Sequence, residues 1–394
     1  MKILFLSRWW PFPPDNGSRM RVFQILRHLH HLGHRIDLVS FHQADQETRL
    51  EAVEYCGDVF PFLYDSFKPN RFESLLGYFS PKPRSLVGTH SPHLFQKVEE
   101  LSSREQYGLV VLSQVDMLPY KKAIKNIPCF LEEIEIGVYV DRFVKQNGLR
   151  AVRERLTLSK LAAYLRVESE GLLGMSVASE KERNLVLRWV KPSCPIEVVQ
   201  NGVDTDENLP LAGKFEVEPL SIVFAGSLTY SANLEAMAYF THRVLPIILE
   251  KFSGAKLYIT GKHQGCDLDQ LNLIPSVVLT GYLNDVRPRV ASSIVSVAPL
   301  FSGGGTRLKI LESLSLGTPV VSTEKGAEGL AISAESGVLI ANDPNEMADL
   351  ITRLFVDPAW RAVLSERGKK SAEDQYSWNQ TLRPFNRLVS DLSR

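Results

Sequence analysis

Short apolar runs alternate with amphipathic stretches along the whole chain, and the alternation predicts its architecture. Lys2-Ile-Leu-Phe-Leu-Ser7 is a run of strand length, residues 8–18 are polar and aromatic, and residues 20–32 carry apolar positions at helical spacing. Arg35-Ile-Asp-Leu-Val-Ser-Phe41 supplies the next strand, and residues 108–112, 128–131 and 174–178 supply others between longer helical segments. Strands that alternate with helices predict a parallel sheet covered on both faces. The pattern then restarts at Leu220-Ser-Ile-Val-Phe-Ala-Gly-Ser227, with a helix over 233–249 and strands over 256–260, 277–279, 294–298, 319–322 and 337–340. Residues 208–219 hold two prolines and little periodicity and read as a linker. The expectation is an α/β protein of two doubly wound, Rossmann-like domains, residues 1–207 and 208–375.

One segment carries most of the chemistry: Phe301-Ser-Gly-Gly-Gly-Thr-Arg-Leu-Lys-Ile-Leu-Glu312-Ser-Leu-Ser-Leu-Gly317-Thr-Pro319. Gly303, Gly304 and Gly305 leave backbone N–H groups unshielded, and a helix follows at once, so an anion placed there meets free donors and a positive helix end. Arg307 and Lys309 add positive charge. Glu312, one to two turns into the helix, reaches the same mouth and can accept two hydrogen bonds from a vicinal diol such as ribose. The plainer alternative is a glycine-rich turn before an ordinary core helix.

Length and composition narrow the class. At 394 residues the chain exceeds one compact core, and 44% hydrophobic with 23% charged residues describes a folded globular protein. The 45 basic and 45 acidic residues balance, which gives no case for nucleic acid. Cys56, Cys129, Cys194 and Cys266 lack paired spacing, so they read as free thiols, and no metal site is expected. No apolar run approaches the ~20 residues that cross a bilayer, and a cytoplasmic location follows as the expectation. Residues 148–170 form a long helical stretch with Arg150, Arg153, Arg155, Lys160 and Arg166 among apolar positions. Such a helix fits either a solvated face or peripheral contact with an anionic membrane, at its inner face, and Glu154, Glu168 and Glu170 weaken the second.

With two nucleotide-type domains and that segment in hand, residues 302–322 resemble the donor-site segment of the retaining GT-B glycosyltransferases, glycosyltransferase group 1. The Gly-Gly-Gly-Thr-Arg form resembles bacterial surface-polysaccharide sugar transferases. Pro13-Pro-Asp-Asn-Gly17-Ser-Arg19 looks like the family's glycine loop, Val199-Gln-Asn201-Gly-Val-Asp204 its hinge motif, and Tyr376-Ser-Trp378 its closing aromatic motif. The resemblance implies two domains facing a cleft, with residues 376–394 returning to the N-terminal domain. It implies transfer of a sugar from a UDP- or GDP-linked donor to a hydroxyl acceptor, with retention, without a metal and without a bound cofactor. Glu312 matches the acid that meets ribose in the family. The family's preceding acid falls on Gly304, so the amides of Gly304, Gly305 and Thr306 are expected to substitute for it, with Leu308 beside them. The basic pair usual after the first strand of the second domain is replaced by Gly226-Ser-Leu-Thr-Tyr-Ser-Ala-Asn233. Arg307 and Lys309 are the expected replacements, Ser227 a neutral donor, and Asn201 a further donor-site candidate.

In the first domain Gly17 suits close approach of a phosphate or acceptor hydroxyl, and Arg19 is the expected basic residue of the same loop. Trp9 and Trp10 suit stacking on an acceptor or plain loop packing. Gln114, Asp116, Glu132 and Glu135 follow strands and serve either acceptor or helix caps. His28, His30, His31 and His34 read as a solvated helix face. Two other activities share the clamp, a GT-B-fold sugar-nucleotide epimerase and a non-catalytic sugar-nucleotide binding protein. A nicotinamide dehydrogenase is disfavoured because neither domain opens with Gly-x-Gly-x-x-Gly.

Overall fold

The computed structural model describes residues 1–14, 16–44, 54–64, 90–303, 307–331 and 334–392. The chain forms two compact units, Met1–Gln200 with Leu382–Arg394, and Asn201–Thr381. Each is a parallel α/β domain.

In the first unit the strands are β1 (Lys2–Ser7), β2 (Arg35–His42), β3 (Val59–Leu63), β4 (Leu109–Ser113), β5 (Cys129–Glu132), β6 (Gly174–Val177) and β7 (Ile196–Val198), in spatial order β3-β2-β1-β4-β5-β6-β7. Every pairing among them is parallel. Helix α1 (Gly17–His31) follows β1, α2 (Pro92–Arg104) precedes β4, and α3 (Gly137–Lys145) and α4 (Gly148–Glu168) connect β5 to β6. Ile3, Leu4, Phe5, Leu6 and Leu109 to Leu112 are almost wholly buried, as expected of central strands covered on both faces.

The expected strands β1, β2, β4, β5 and β6 form, whereas β3 and β7 had no sequence counterpart. Both are edges. Pro61 inside β3 is tolerated because among the described residues that strand pairs only with β2, and β7 spans three residues after Pro195.

The second unit holds β8 (Ser221–Ala225), β9 (Lys256–Thr260), β10 (Val277–Gly281), β11 (Val295–Ala298), β12 (Val320–Ser322) and β13 (Val338–Ile340), again all parallel, in the order β10-β9-β8-β11-β12-β13. Helix α5 (Ser231–Tyr239) follows β8 and α6 (Leu308–Ser315) follows β11. In each sheet the strand order reverses once, at β1/β4 and at β8/β11, where loops leave in opposite directions and open a crevice at the carboxyl edge.

The units divide at 200/201, seven residues before the expected boundary. Val203 forms a parallel bridge with Ser377: its N–H donates to the Tyr376 carbonyl at 2.8 Å, and Trp378 N–H donates back to the Val203 carbonyl at 3.3 Å. A Cβ on Gly202 would lie 2.9 Å from Trp378. Residues 201–204 of the hinge motif and the closing aromatic motif are therefore packed together inside the second unit, although one was assigned to the first domain and the other to a terminal segment. Leu382–Arg394, which holds the helix Arg383–Leu392, groups with the first unit, where Phe385 meets the Phe130 ring edge-on at 5.3 Å. Of its expected apolar stripe, Phe385 and Val389 are buried, as is Leu382 just before the helix.

Two smaller expectations change. Trp10 is 1% exposed and belongs to the core, so it offers no stacking face. His28 is not solvated: its Nε2 lies 2.6 Å from Asn386 Oδ1, and burial lowers its pKa. Among the described residues no helix is long and apolar enough to cross a membrane, and no three His, Cys, Asp or Glu side chains lie together so as to hold a metal ion.

Candidate functional site

Lys309 and Glu312 lie three residues apart on α6, one face of a helix whose first turn opens beside the β8/β11 reversal. Lys309 reaches across to the loop that leaves β8. Its Nζ donates to Asn233 Oδ1 at 2.9 Å and sits 4.0 Å from the Phe224 ring centroid, while Asn233 Nδ2 donates to the Ser227 carbonyl at 2.7 Å. A Cβ on Gly226 would fall 2.8 Å from that ammonium, so glycine is what leaves it room. The charge missing from the β8–α5 loop sequence is thus delivered to that loop from another helix. Burial, reinforced by repulsion from Arg307 and opposed by Glu312, lowers the Lys309 pKa to about 7.

Glu312 is shifted the other way. Burial raises its pKa to about 7 against the attraction of Lys309 and Arg287, with Asp285 adding to the rise. Among the described residues its carboxylate accepts no hydrogen bond and forms no ion pair. Arg287 is occupied elsewhere, donating to Asp285 at 2.9 and 3.0 Å and to Glu207 at 2.8 Å. A half-buried ammonium with one neutral partner and a half-buried carboxylate with none among the described residues are costly in the free protein. Both costs fall when a ligand supplies an anion to one and hydroxyl donors to the other.

Arg307, which opens α6, is placed differently from the expectation. It is 5% exposed, and its Nη2 donates to the carbonyls of Gly303 and Lys325 at 3.0 and 3.1 Å. A guanidinium committed to two carbonyls braces the glycine loop and does not present an open fork to a phosphate. Gly303 itself has φ +89, and a Cβ there would fall 2.6 Å from Tyr230 Oη, so both conformation and space demand glycine. Gly304, Gly305 and Thr306 lie outside the described residues, and the donors expected of them are not placed. Leu308 is the first residue of α6 and half-buried. Ser227 is half-buried, its Oγ 2.9 Å from the Lys262 carbonyl and 2.7 Å from Thr229 Oγ1, which occupies the hydroxyl expected to be a free donor. Asn201 is 7% exposed beside the Val203 bridge. Gly226, Tyr230 and Asn233 had been passed over because no basic residue marks their loop. Their signal was small residues and an amide just after a buried strand.

The first unit's reversal carries a second cluster. Gly17 opens α1, with the Asn16 side chain accepting the Arg19 N–H at 3.1 Å, and Arg19 is half-buried. Trp9 Nε1 donates to Gln114 Oε1 at 2.8 Å, and Gln114 Nε2 donates to Glu133 Oε2 at 3.1 Å. Gln114 and Glu133 both have positive φ, +72 and +56, a strained backbone that side-chain bonds hold in place. Beneath them Arg21 and Glu132, each fully buried, meet at 2.6 Å, with Arg21 also donating to the Val199 carbonyl and Ser113 Oγ donating to Glu132. Glu132 therefore closes a buried ion pair, and the acceptor role considered for it gives way to a structural one. Arg8 lies over the Tyr64 and Trp9 rings at 3.2 and 4.6 Å.

Residues 219–357 match the family model of the glycosyl transferases group 1. The chain is 25% identical over 256 residues to a phosphatidyl-myo-inositol mannosyltransferase of Mycobacterium leprae, covering 61% of this chain and 66% of that one. Its fold is similar to sucrose-phosphate synthase from Thermosynechococcus elongatus, with a TM-score of 0.71, 16% identity and coverage of 100% and 99% of the two chains. It is also similar to Anabaena HepE in complex with UDP, with a TM-score of 0.67, 14% identity and coverage of 99% and 100%. The two parallel α/β units are thus the Rossmann-like domains of the GT-B architecture. The match to the group 1 glycosyltransferases lies within the second unit.

Proposed function

We propose that the protein moves a hexose from a nucleoside diphosphate donor to a hydroxyl acceptor, with retention and without a metal ion. The observation that carries this is the pairing on α6 of Lys309, brought to the β8–α5 loop, with Glu312, whose carboxylate has no partner among the described residues. Lys309 takes the diphosphate, regaining its full charge as it does so, and Glu312 accepts hydrogen bonds from the ribose hydroxyls. Amides of the glycine run contribute donors beside it, and Arg307 holds that run in place. In the reaction the bond from the anomeric carbon to the leaving phosphate oxygen breaks, and the acceptor oxygen bonds to the same face of that carbon. The acceptor proton passes to the leaving phosphate. Such a step calls for stabilised phosphate charge more than for a side-chain base. The mannosyltransferase relative and the UDP complex of a similar fold support the donor class.

The test is a transfer and hydrolysis screen of UDP- and GDP-hexoses with and without EDTA, with the product anomer read by NMR. Turnover that survives EDTA and yields the donor's anomeric configuration is expected. An inverted product, or turnover that requires added magnesium or manganese, overturns the proposal.

A further inference from the structure

Helix α4 is apolar on two sides. One side is the core: Leu158, Leu161, Ala162 and Leu165 are buried. The other faces solvent, where Val152 and Val167 are 65% and 64% exposed, Leu156 is 37% exposed, and Ala163 is exposed between them. At 3.6 residues per turn, positions 152, 156, 163 and 167 fall within roughly 60° of one another, a single stripe along the outer face. Burial in the fold accounts for the first face and leaves the second unexplained, because an exposed helix face ordinarily carries polar residues.

The charges around that stripe are ordered. Arg155 lies on one flank and Arg153 and Lys160 on the other, while Arg150 precedes them on the side of the helix that also bears Glu168. Arg150, Arg153 and Arg155 are exposed, and among the described residues their guanidinium groups have no hydrogen-bond or ion-pair partner. The acidic residues of the helix, Glu154 and Glu168, point to the opposite side, and Glu168 pairs with Lys122 at 3.5 Å. The preceding helix α3 ends in exposed Arg142 and Val144, the latter 72% exposed. Across residues 137–168 seven Lys and Arg stand against three Asp and Glu, in a chain whose overall charge is zero.

We infer that this face docks on an anionic lipid bilayer. The helix lies in the plane of the interface, Val152, Leu156 and Val167 entering the headgroup boundary while the arginines reach lipid phosphates on either side. A neutral protein surface satisfies the apolar stripe and leaves the cations unmatched. A purely electrostatic contact satisfies the cations and leaves the stripe in water. An anionic membrane surface satisfies both, which is why it is the occupant we assign. The inference stands independently of the donor chemistry.

The test is co-sedimentation of the full chain with phosphatidylcholine vesicles, with and without phosphatidylglycerol. Binding to the anionic vesicles should be about tenfold or more stronger and should weaken as salt rises. Arg153→Glu with Arg155→Glu should abolish the preference, and Val152→Ser with Leu156→Ser should reduce binding several-fold. All four positions are exposed, so circular dichroism and melting should match the parent. Equal binding to both vesicle types overturns the inference, as does parental binding by the serine pair. Concentration-dependent self-association lost in the serine pair would identify a second copy of the chain as the occupant and overturn it too.

Discussion

Each domain buries charge at the reversal of its sheet, and the two do so in opposite ways. In the first, Arg21 and Glu132 pair directly at 2.6 Å, with Glu133 3.7 Å from the same guanidinium, and further bonds run from Arg21 to the Val199 carbonyl and from Ser113 to Glu132. In the second, Lys309 and Glu312 are held on one helix without an ion pair between them, and burial brings both pKa values to about 7. A satisfied pair holds strands and loops together. An unsatisfied pair keeps its charges available, and evolution tolerates its cost where a ligand removes it. Under the proposed function the first centre is structural and the second binds the donor.

The largest expected effect comes from breaking the satisfied pair. Arg21→Met leaves Glu132 buried without its cation and should cost about 3–5 kcal/mol of unfolding free energy in urea at neutral pH. Adding Glu132→Gln should return much of it. A loss below about 1 kcal/mol for the single change would erase the contrast. Lys309→Met, by comparison, removes a charge that burial penalises. It should leave the fold as stable or more so, while weakening UDP or GDP binding by about tenfold to a hundredfold, the range of a charged hydrogen bond. Calorimetry with both nucleotides decides, and unchanged affinity for each removes Lys309 from the diphosphate.

The pH dependence sharpens the same comparison. Glu312 has a folded pKa raised from the ordinary carboxylate range to about 7, so its cost appears as pH rises through that interval. Lys309 has a folded pKa lowered to about 7, so its cost is complete below neutral and fades as pH rises from there. Glu312→Gln should therefore stabilise the protein by about 2 kcal/mol at pH 8 and by little at pH 5, measured by thermal or urea unfolding. Nucleotide binding needs the lysine charged and the carboxylate ionised, so affinity should peak near neutral. Glu312→Gln should remove the acid limb and Lys309→Met the alkaline one. A flat profile for the parent protein breaks the assignment of both.

The same physics explains what was legible in the chain. Central parallel strands are buried on both faces, and their apolar runs stand out, whereas β3 and β7 at the edges carry proline or too few residues to signal. The placement of Lys309 and Glu312 on one helix was legible because their relation is local, three positions apart. Their partners were not. Asn233 is 76 positions from Lys309, and Arg21 is 111 from Glu132, so neither bond leaves a trace in local pattern. Arg307 misled for a related reason: its type suits a phosphate, and only the fold shows the carbonyls of Gly303 and Lys325 that occupy it.

Arg307 gives the smallest expected effect and the finest test. As a brace it is worth about one to two neutral hydrogen bonds, so Arg307→Ala should cost about 1–2 kcal/mol of stability. The loop it braces loosens, and affinity for nucleoside monophosphates and diphosphates should fall by a similar small factor. A direct phosphate ligand would instead weaken the diphosphate alone and lower kcat more than it raises the donor KM. Arg307 also helps depress the Lys309 pKa, so its removal should carry the alkaline limb of nucleotide binding upward in pH. An alkaline limb that stays in place, together with a selective loss of diphosphate affinity, would return Arg307 to the donor's phosphates and leave Lys309 as its helper.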